Sequence, residues 1–583
     1  MTQNPYRFAI IGLGPRGSYA LECLISTLAE TDSFSKISIT LFEEIGPIGG
    51  GPVYAPEQAD TNWVNITERA LVLDERPDIV LGAIEIPKFA SYHAWAGLEF
   101  DTWPTERVDT FPPRSQIGDY LHQRCISLIE PLKKAGLVEL IQERVDGIKL
   151  QDMECQVVTQ SGDTYFADDV LITVGHQPTE PDAQSAKWEE TAPQFSHLKY
   201  HPEPYPVENI MPNAGQSGQT HVALRGYGLA MIDVARAFSE RFGRFSRRED
   251  TGGALVYTCH TDDFVMAPFS LDGLAMGPKP HTPLIDAQYV PSDTDIKALK
   301  AALDNRKAQQ DATGTEFLTT LMVPLITKTY QNLTHSYINE APDIQDIEKT
   351  VLKWLNDPTT QHNLIMPITG HPSETLQRLI DMAMDEAPIY LDYCAGQVWR
   401  HCQPTIYDSL SYSALSNEVM AKIIKLDEQS KRYSFGPPVE SLMQLKALHE
   451  AGVLNLNVLN DPDITLDAEG WTLTTTQGTF TATTMINTVL DGPKINDITS
   501  PLLESLLDRD IFQPAHDELG VLTDNSGYVL SGRDDSVLPI ALLGRIAKGT
   551  VIGVDAILEC FGKRPMGWAE TAVKKMKIRQ PNI

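Results

Sequence analysis

The most chemically informative residues lie near the N-terminus, in a turn over residues 12–17 that fits the pattern G-x-G-x-x-G. In such a turn Gly12 permits a tight bend, Gly14 lets a pyrophosphate approach the backbone, and Gly17 lets a helix pack closely on a strand. Pro15 and Arg16 open that helix, whose N-terminus directs free N–H groups at the phosphates. The turn predicts a dinucleotide site, and the alternative is a purely structural glycine turn.

An acidic residue follows this turn at a suitable distance. Glu43 lies 26 residues after Gly17, directly after a strand with alternating apolar residues. A carboxylate at that place can accept hydrogen bonds from ribose hydroxyls. Glu44 is the alternative acceptor, and we favour Glu43 because it comes first after the strand.

A second turn of the same kind occupies residues 225–231, which read Arg-Gly-Tyr-Gly-Leu-Ala-Met between a strand and a helix. Gly226 and Gly228 take the places of the first two glycines. Met231 stands at the third small position, so Ala230 makes the close contact or the helix stands slightly away from the strand. We predict a second nucleotide site here, and a vestigial turn that binds no nucleotide is the alternative.

The elements that must position these turns can be located from hydrophobic periodicity. Residues 6–44 fit a β-α-β unit, and short strands are expected over 137–174. The strand that follows the second turn is expected at Leu255–Cys259. The chain becomes helical from about 270 to 450, strands return after 455, and a last apolar helix is expected from Thr550 to Cys560.

Composition excludes several functional classes. The 583 residues contain 47 Lys and Arg against 78 Asp and Glu, a net charge of −31, which disfavours binding to nucleic acid and anionic membranes. No apolar run is long enough to span a membrane. The seven cysteines form no C-x-x-C pair, which favours a reducing compartment, so we expect a cytoplasmic protein without disulfides. The histidine spacings predict no metal site.

Three further signatures follow the first turn in order. They are Gly-Gly-Gly-Pro-Val-Tyr at 49–54, Trp-Val-Asn-Ile at 63–66, and Pro-Arg-x-x-x-Gly-x-Tyr-Leu at 113–121. With the two glycine turns they resemble the FAD/NAD(P)-binding oxidoreductases of the two-dinucleotide type. Within that family the chain is similar to a bacterial subgroup of N-hydroxylating flavin monooxygenases with long helical insertions.

The resemblance implies an α/β fold with two Rossmann-like dinucleotide-binding domains and a largely helical insertion. The FAD-binding domain would be discontinuous, over 1–200 and 455–583. The NAD(P)-binding domain would occupy 215–270 and the insertion 271–450. It also implies that the cofactor site includes Gly51, Tyr54, Asn65, Arg114, Val145, Gly175, Gly544, Gly549 and Thr550, in addition to the residues of the two turns, Glu43 and Glu44. A helix N-terminus near Thr550 would lie close to the flavin ring, although Arg545 stands where many relatives have Asp.

The function implied is that of an FAD-dependent, NAD(P)H-using oxidoreductase. We expect a monooxygenase that oxidises a nitrogen of a small amine or amino acid through a C4a-hydroperoxyflavin. An NAD(P)H-flavin oxidoreductase without oxygen insertion, or a non-catalytic FAD-binding interaction protein, is the alternative. Arg400 could pair with a substrate carboxylate or form a structural ion pair, and no catalytic acid or base is singled out.

The choice between NADPH and NADH stays open in the sequence. Relatives that prefer NADPH usually carry Ser-Arg after the strand that follows the second turn. Here Thr-Cys-His occupies 258–260, and Arg247 and Arg248 precede it.

Overall fold

The computed structural model describes residues 5–31, 37–151, 153–212, 220–248, 254–336, 343–368, 370–531 and 536–579. The strands are β1 (Tyr6–Ile11), β2 (Ile37–Phe42), β3 (Ile79–Leu81), β4 (Ile84–Ile86), β5 (Val138–Ile141), β6 (Val145–Gln151), β7 (Glu154–Thr159), β8 (Thr164–Ala167), β9 (Asp169–Ile172), β10 (Lys199–His201), β11 (Thr220–Arg225), β12 (Gly243–Arg248), β13 (Ala254–Cys259), β14 (Phe264–Phe269), β15 (Asp463–Asp467), β16 (Gly470–Thr475), β17 (Gly478–Ala482), β18 (Thr484–Asn487), β19 (Tyr528–Leu530) and β20 (Val537–Leu542).

The helices are α1 (Pro15–Glu30), α2 (Tyr92–Ala96), α3 (Arg114–Lys134), α4 (Ala183–Thr191), α5 (Val207–Ile210), α6 (Leu229–Phe242), α7 (Pro283–Asp286), α8 (Asp293–Leu303), α9 (Arg306–Asp311), α10 (Glu316–Asn332), α11 (Ile344–Asn356), α12 (Pro372–Ala383), α13 (Leu391–Leu410), α14 (Asn417–Ser434), α15 (Val439–Glu450), α16 (Pro501–Asp508), α17 (Ile557–Cys560) and α18 (Lys563–Arg579). In the described part of the chain, no helix is both long enough and apolar enough to cross a membrane.

The first sheet has the strand order β19-β20-β9-β1-β2-β5. β1 pairs in parallel with β2 on one side and β9 on the other, and β20 continues in parallel beside β9. The order therefore reverses between β1 and β9, and ligands of such sheets bind beyond the carboxyl ends of the strands at this point. Apolar side chains on both faces bury β1 between α1, α3 and α18 on one face and β6–β8 with α16 on the other.

The second sheet repeats this arrangement with the order β10-β18-β11-β14, and all of its strands are parallel. Its order reverses between β11 and β18. One face packs on α6 and on helices of the region between Pro283 and Glu450, and the other packs on β16 and β17. The two sheets, of which the second is parallel and the first is parallel except for its edge strand β19, confirm with the helical region the fold class expected from the sequence.

The predicted second strand of this sheet is wrong. Leu255–Cys259 lies in β13, which pairs antiparallel with β12 in a separate two-stranded ribbon. The strand beside β11 is instead β14, whose residues are almost all buried, whereas most positions of β13 are partly or fully exposed. A strand within a parallel sheet is covered on both faces, and only β14 has the composition to be covered in that way.

The expected boundary at residue 455 also needs correction. β18 is the neighbour of β11 in the second sheet, and β15–β17 form a meander packed on that sheet. Only β19 and β20 return to the first sheet. β10, which the sequence analysis placed at the end of the first domain, pairs with β18 in the second sheet. The meander and β18 must accompany the second sheet because β18 supplies the strand at its reversal point.

The apolar helix expected from Thr550 to Cys560 is wrong as well. Gly549 has a φ of +125°, and residues 551–554 form a buried irregular segment before the single turn of α17. The long C-terminal helix is α18, which packs along α1. The apolar residues of this stretch are buried without helical periodicity, because the segment passes between the first sheet and the helical region.

Candidate functional site

The first glycine turn lies at the carboxyl end of β1. Gly12 has a φ of +91°, which favours glycine, and a Cβ atom there would lie 2.9 Å from the carbonyl oxygen of Thr173 at the end of β9. A Cβ atom at Gly17 would lie only 2.0 Å from the Gly12 carbonyl oxygen, so the third glycine sets the close packing of helix on turn. Gly14 is less crowded, because the nearest atom to its Cβ position is the Gly51 Cα at 3.8 Å.

The acidic residues after β2 have different partners. Glu43 accepts hydrogen bonds from the backbone N–H of Leu13 at 2.6 Å and of Ile45 at 3.3 Å. Burial raises the pKa of Glu43, and these N–H donors oppose that effect. Glu44 is exposed and lies 3.8 Å from Arg144. The structure therefore brings Glu43, and not Glu44, onto the backbone of the glycine turn.

The loop with the triple glycine covers this turn. Gly51 faces Gly14 across the loop, and Gly49 donates its N–H to the Leu13 carbonyl at 2.6 Å. A Cβ atom at Gly118 would lie 2.1 Å from the Tyr54 carbonyl oxygen, so there is no room for a side chain at this position. The two signatures at 49–54 and 113–121 are therefore coupled by a close backbone contact.

The ends of β9 and β20 complete the same edge. Gly175 follows β9 with a φ of +67° and has no neighbour within 4 Å of its Cβ position. Gly544 follows β20, and its Cβ position lies 3.0 Å from the Arg16 Nε atom. Arg16 is buried and donates to the carbonyls of Val554 and Glu559, so it ties α1 to the C-terminal segment. Its guanidinium is engaged there rather than directed at the turn.

Both glycine turns leave helix N–H groups without side-chain caps. Gly14 is the N-cap of α1 and Gly228 that of α6, and no side chain caps either helix. Other helices, among them α3, α13 and α15, also begin without a side-chain cap, so the distinguishing feature of α1 and α6 is the glycine turn before them. An uncapped N-terminus beside a close backbone approach suits a phosphate group. The residues present at the first turn thus fit a dinucleotide.

The second turn repeats the geometry of the first. Gly226 has a φ of +116°, and its Cβ position lies 2.6 Å from the Thr488 Oγ1 atom. Thr488 donates this hydroxyl to the Arg225 carbonyl at 2.7 Å, as Thr173 donates to the Gly12 carbonyl at 2.7 Å. In both sheets a threonine therefore comes directly after the strand on the far side of the reversal point, which is β9 in the first sheet and β18 in the second. Sequence analysis missed this pair because each threonine is far along the chain from its glycine turn.

The loop after β14, and not residues 258–260, lies at the end of the strand beside the second turn. It contains Asp272, which forms an ion pair with Arg432 of α14. Arg247 lies on the β12–β13 ribbon and pairs with Glu440 at 2.6 Å. A residue at the end of this strand can contact the ribose of a bound nucleotide, so Asp272 and Arg432 replace residues 258–260 as the candidates for that contact.

A small cavity joins the two halves of the molecule. Trp63 and Asn65 line it from the FAD-type half, Leu229 from the start of α6, and Pro437 from the turn before α15. Leu229 directly follows Gly228, so the cavity begins at the second glycine turn. The Trp63–Ile66 segment, predicted to contact the first cofactor, therefore meets the second nucleotide turn.

Arg114 braces this junction. Its guanidinium lies 2.8 Å from Asp233 of α6 and over the ring of Tyr205. Arg236 also pairs with Asp233 and lies 3.8 Å from the centre of the Trp63 ring. The structure thus uses Arg114 to connect α3 with α6 at the edge of the cavity.

The loops that follow β9 and β20 bring His176 and Arg545 close together. Burial by surrounding protein lowers the pKa of His176 to about 4, and the Arg545 charge adds to this effect. Arg545 pairs with Asp555 at 2.6 Å, and Asp555 also lies 2.9 Å from Lys431 of α14.

Three predicted site residues are engaged in packing. Val145 begins β6 and is buried in the core between β6–β8 and the first sheet. Gly549 packs on Ala515, whose Cβ would lie 2.8 Å from a Cβ at that position. The Thr550 carbonyl accepts the Tyr412 N–H at 2.9 Å. Because no helix of useful length begins at Thr550, the expected helix N-terminus beside the flavin ring is not formed.

Arg400 lies in α13 and forms an ion pair with Asp286 of α7. Its Nε atom donates to Gln397 at 3.0 Å, and His401 lies 3.2 Å from the same aspartate. Of the two roles left open for Arg400, the structure shows the ion pair.

Lys279 is a functional candidate that sequence analysis missed. Its ammonium donates to the Asn65 side-chain oxygen at 2.7 Å, the Asn65 carbonyl at 3.0 Å and the Gly436 carbonyl at 2.7 Å. The side chain is half-buried, and burial, with the Arg400 charge, lowers the pKa of Lys279 well below its usual value. A lone lysine in a loop gives no sequence signal of such a position.

Comparisons with known proteins agree with the N-terminal geometry. Residues 9–177 match the model of a family described as FAD-NAD(P)-binding. An L-aspartate N-monooxygenase (nitrosuccinate-forming) from Streptomyces davaonensis is 26% identical over 283 residues, which are 44% of this chain. The match spans 42% of the length of that relative.

Two solved structures are also similar to this chain along most of its length. A mutant cyclohexanone monooxygenase from Rhodococcus sp. Phi1, bound to NADP+, has a TM-score of 0.46 at 11% identity, over 99% of this chain and 87% of its own. OTEMO in an FAD-bound form has a TM-score of 0.45 at 11% identity, over 100% of this chain and 86% of its own.

The family match covers β1, the first glycine turn, Glu43, the triple-glycine loop, Arg114 and the end of β9, which are the elements that build the first edge. Residues 9–177 of this chain therefore resemble an FAD-NAD(P)-binding domain.

Proposed function

We propose that this protein is an FAD-dependent monooxygenase that takes electrons from NADPH or NADH and oxidises a nitrogen of a small amine or amino acid. The observation that carries the proposal is the junction at which Trp63 and Asn65 of the first half lie beside Leu229, the residue directly after the second glycine turn. A flavin on the first turn and a nicotinamide on the second would approach each other there. Hydride transfer requires such an approach.

Bound flavin, once reduced, supplies the reactivity toward oxygen, and the protein positions the partners. The N–H groups at the start of α1 would hold the FAD diphosphate, and those at the start of α6 would hold the nucleotide diphosphate. Glu43 already accepts a hydrogen bond from the backbone of the turn and would orient a ribose beside it. Arg236 is buried at the junction and Arg114 is partly buried beside it, so the two side chains keep bulk water from one side of the cavity.

The choice of nitrogen oxidation rests on the relative, which is named an L-aspartate N-monooxygenase. The acceptor of the electrons decides between this function and an NAD(P)H-flavin oxidoreductase that inserts no oxygen. Small molecules with an amine are therefore the substrates to test first, beginning with L-aspartate.

The experiment measures NADPH and NADH consumption by the FAD-loaded protein with and without L-aspartate, together with oxidised amine and hydrogen peroxide. We expect FAD to remain bound and oxidised amine to form in proportion to the nucleotide consumed. Nucleotide consumption that yields only peroxide with every amine tested would contradict the monooxygenase proposal.

Gly228→Val provides the matched variant. Gly228 has an ordinary extended backbone, and the nearest atom to its Cβ position is the Met276 Sδ at 3.9 Å, so valine fits without a nucleotide. Its methyl groups would occupy the space that a pyrophosphate needs. We expect the variant to retain FAD and lose at least about tenfold in the rate of flavin reduction. Unchanged reduction would contradict the second nucleotide site.

A further inference from the structure

A reciprocal pair of arginine contacts joins the unit built on the first sheet to the unit built on the second. Arg114, at the start of α3 in the first unit, lies over the ring of Tyr205, which precedes α5 in the second unit. Arg236 of α6 in the second unit lies 3.8 Å from the centre of the Trp63 ring in the first unit and donates to the Thr61 carbonyl at 2.6 Å. Each unit therefore places one guanidinium on an aromatic ring of the other.

One carboxylate accepts hydrogen bonds from both arginines. One oxygen of Asp233, a buried residue of α6, accepts from the Arg114 guanidinium at 2.8 Å and from the Tyr205 hydroxyl at 2.7 Å. Its other oxygen accepts from Arg236 at 3.3 Å. Among the described residues, no other carboxylate forms an ion pair with either guanidinium. Removal of the Asp233 charge would therefore leave two cations side by side without a counter-charge.

On one side, α3 connects Asp233 to the loop expected to hold the flavin nucleotide. Arg114 is the first residue of α3. Gly118, about one turn later, packs on the Tyr54 carbonyl with no room for a side chain. The loop that ends in Tyr54 covers the first glycine turn. Asp233 thus contacts a helix that is itself fixed against the first nucleotide site.

On the other side, Asp233 belongs to the helix of the second nucleotide site. α6 begins at Leu229, directly after Gly228, so Asp233 lies about one turn from the N–H groups that would hold a nucleotide diphosphate. A helix is a rigid element, so a displacement at Asp233 also displaces the N-terminus of α6. The carboxylate therefore fixes the start of α6 relative to α3.

We propose that Asp233 is a positioning residue for hydride transfer, because it fixes the nicotinamide-nucleotide unit relative to the flavin unit and so sets the separation of the two reacting rings. This inference rests on the proposed function, and Asp233 acts through α3 and α6 rather than on the reacting atoms. Reaction between bound partners requires atoms about 3–3.5 Å apart, and a displacement of about 1 Å can slow the step about 100-fold. Nucleotide binding depends on the glycine turns and should change little.

Anaerobic stopped-flow reduction of the FAD-loaded protein over a range of NADPH and NADH concentrations tests the proposal. It separates the limiting rate of flavin reduction from the dissociation constant of the nucleotide. Asp233→Asn keeps the shape of the side chain and removes its charge, so we expect the limiting rate to fall about 10- to 100-fold. The dissociation constant should change by less than about threefold. A role in folding alone would lower the yield of FAD-loaded protein but not the limiting rate of the loaded protein.

Asp109→Asn is the matched control. Asp109 is partly buried and pairs with Arg69 at 3.0 Å, and both residues belong to the first unit. This substitution therefore breaks an arginine–carboxylate pair without affecting the contact between the units, and the limiting rate should equal that of wild type. An unchanged limiting rate in Asp233→Asn would overturn the proposal, as would an equal fall in Asp109→Asn or a change confined to the dissociation constant.

A second variant removes the other partner of the contact. Arg114 is only partly buried, so we expect Arg114→Gln to fold even if Asp233→Asn does not. Its limiting rate should fall at least about fivefold, with little change in the dissociation constant. The double variant should be hardly slower than Asp233→Asn, because both substitutions break the same contact. An unchanged limiting rate in Arg114→Gln, or fully independent effects in the double variant, would overturn the proposal.

The measurement contains neither oxygen nor amine, so it does not depend on oxygen insertion. The flavin can be reduced by nucleotide and respond to these substitutions as expected while the test for oxidised amine fails, and the two failures remain distinct. If neither nucleotide reduced the flavin of wild-type protein, the positioning role of Asp233 would be overturned as well.

Discussion

At the residue scale, two glycines of the first turn belong to the same motif but have different physical roles. Gly17 has no space for a side chain, since its Cβ position falls 2.0 Å from the Gly12 carbonyl oxygen. Gly14 has an ordinary contact distance of 3.8 Å to Gly51. The fold requires glycine at position 17, and we propose that a bound diphosphate requires glycine at position 14.

Gly17→Ala and Gly14→Leu should therefore fail in different ways. Gly17→Ala must push α1 away from the strand, so we expect a loss of about 1–3 kcal/mol in the free energy of unfolding. Gly14→Leu should fold, with its side chain in the space of the diphosphate, and should contain less than about a tenth of the FAD of wild type. Urea unfolding and the flavin absorbance at purification measure the two effects.

Gly46→Ala is the control for both, because Gly46 has no neighbour within 4 Å of its Cβ position, although its φ of +65° adds a small strain. It should retain FAD and lose less stability than Gly17→Ala. Full FAD content in Gly14→Leu would contradict the assignment of this turn.

The candidate site residues near the first turn could be predicted from the sequence because they lie close together along the chain. The turn, Glu43 and the triple-glycine loop are all contained in a short stretch of chain, and strand–turn–helix geometry fixes their relation. Lys279 and Lys431 could not be found in this way. Their importance comes from contacts with Asn65 and Asp555, and nothing in the local sequence encodes those contacts.

At the element scale, the second sheet shows where periodicity misleads. Leu255–Cys259 and Phe264–Phe269 are both short apolar strands, and the sequence analysis identified only the first of them. The structure pairs the more completely buried strand with β11 and leaves the other in a ribbon. β18 could not be assigned to this sheet because the helical region separates it from β11 by more than 250 residues.

A buried carboxyl group connects three elements of the first domain. Asp169 begins β9, accepts the Tyr528 hydroxyl of β19 at 2.7 Å, and has a second oxygen without a partner among the described residues. Lys575 of α18 lies over the Tyr528 ring. Burial raises the pKa of Asp169 to about 7, and the Lys575 charge only partly opposes this shift.

This shift predicts a pH dependence of stability. The folded protein holds a proton on Asp169 up to about pH 7, whereas the unfolded chain releases it near pH 4. Between these values the folded state binds more protons, so the Asp169 contribution to stability is complete below pH 4 and is lost as the pH rises to 7. Asp169→Asn removes the titration, and its stability relative to wild type should increase across this window, by at most about 1.4 kcal/mol per pH unit.

Urea unfolding of both proteins at several pH values between 4 and 8 measures this difference. Asp517→Asn, at an exposed aspartate, is the control and should differ from wild type by the same amount at every pH. A constant difference between Asp169→Asn and wild type would refute the titration.

At the scale of the whole molecule, the net charge of −31 opposes the approach of an anionic nucleotide. The positive charges near the site are few and mostly paired, as with Arg545 and Lys431 around Asp555. Long-range repulsion should therefore govern the encounter with NADPH, and the local cations should act only at short range.

Salt should accordingly accelerate the encounter. Raising ionic strength from 0.01 M to 0.15 M shortens the screening length from about 30 Å to about 8 Å. We expect the second-order rate constant for flavin reduction at low NADPH to rise severalfold in stopped-flow experiments. Sucrose at equal osmolality should not reproduce the increase, and a rate that falls with salt would show that a positive channel dominates.

The strand connectivity has a consequence for synthesis on the ribosome. The strands β1 and β11 are made before the helical region, but their sheets gain β18 and β20 only after it. A nascent chain that ends within the helical region exposes the open side of β11 and lacks β20 beside β9. Neither nucleotide-binding unit can close until these later strands have left the ribosome, so both sheets stay open for longer than those of a chain whose domains finish one after another.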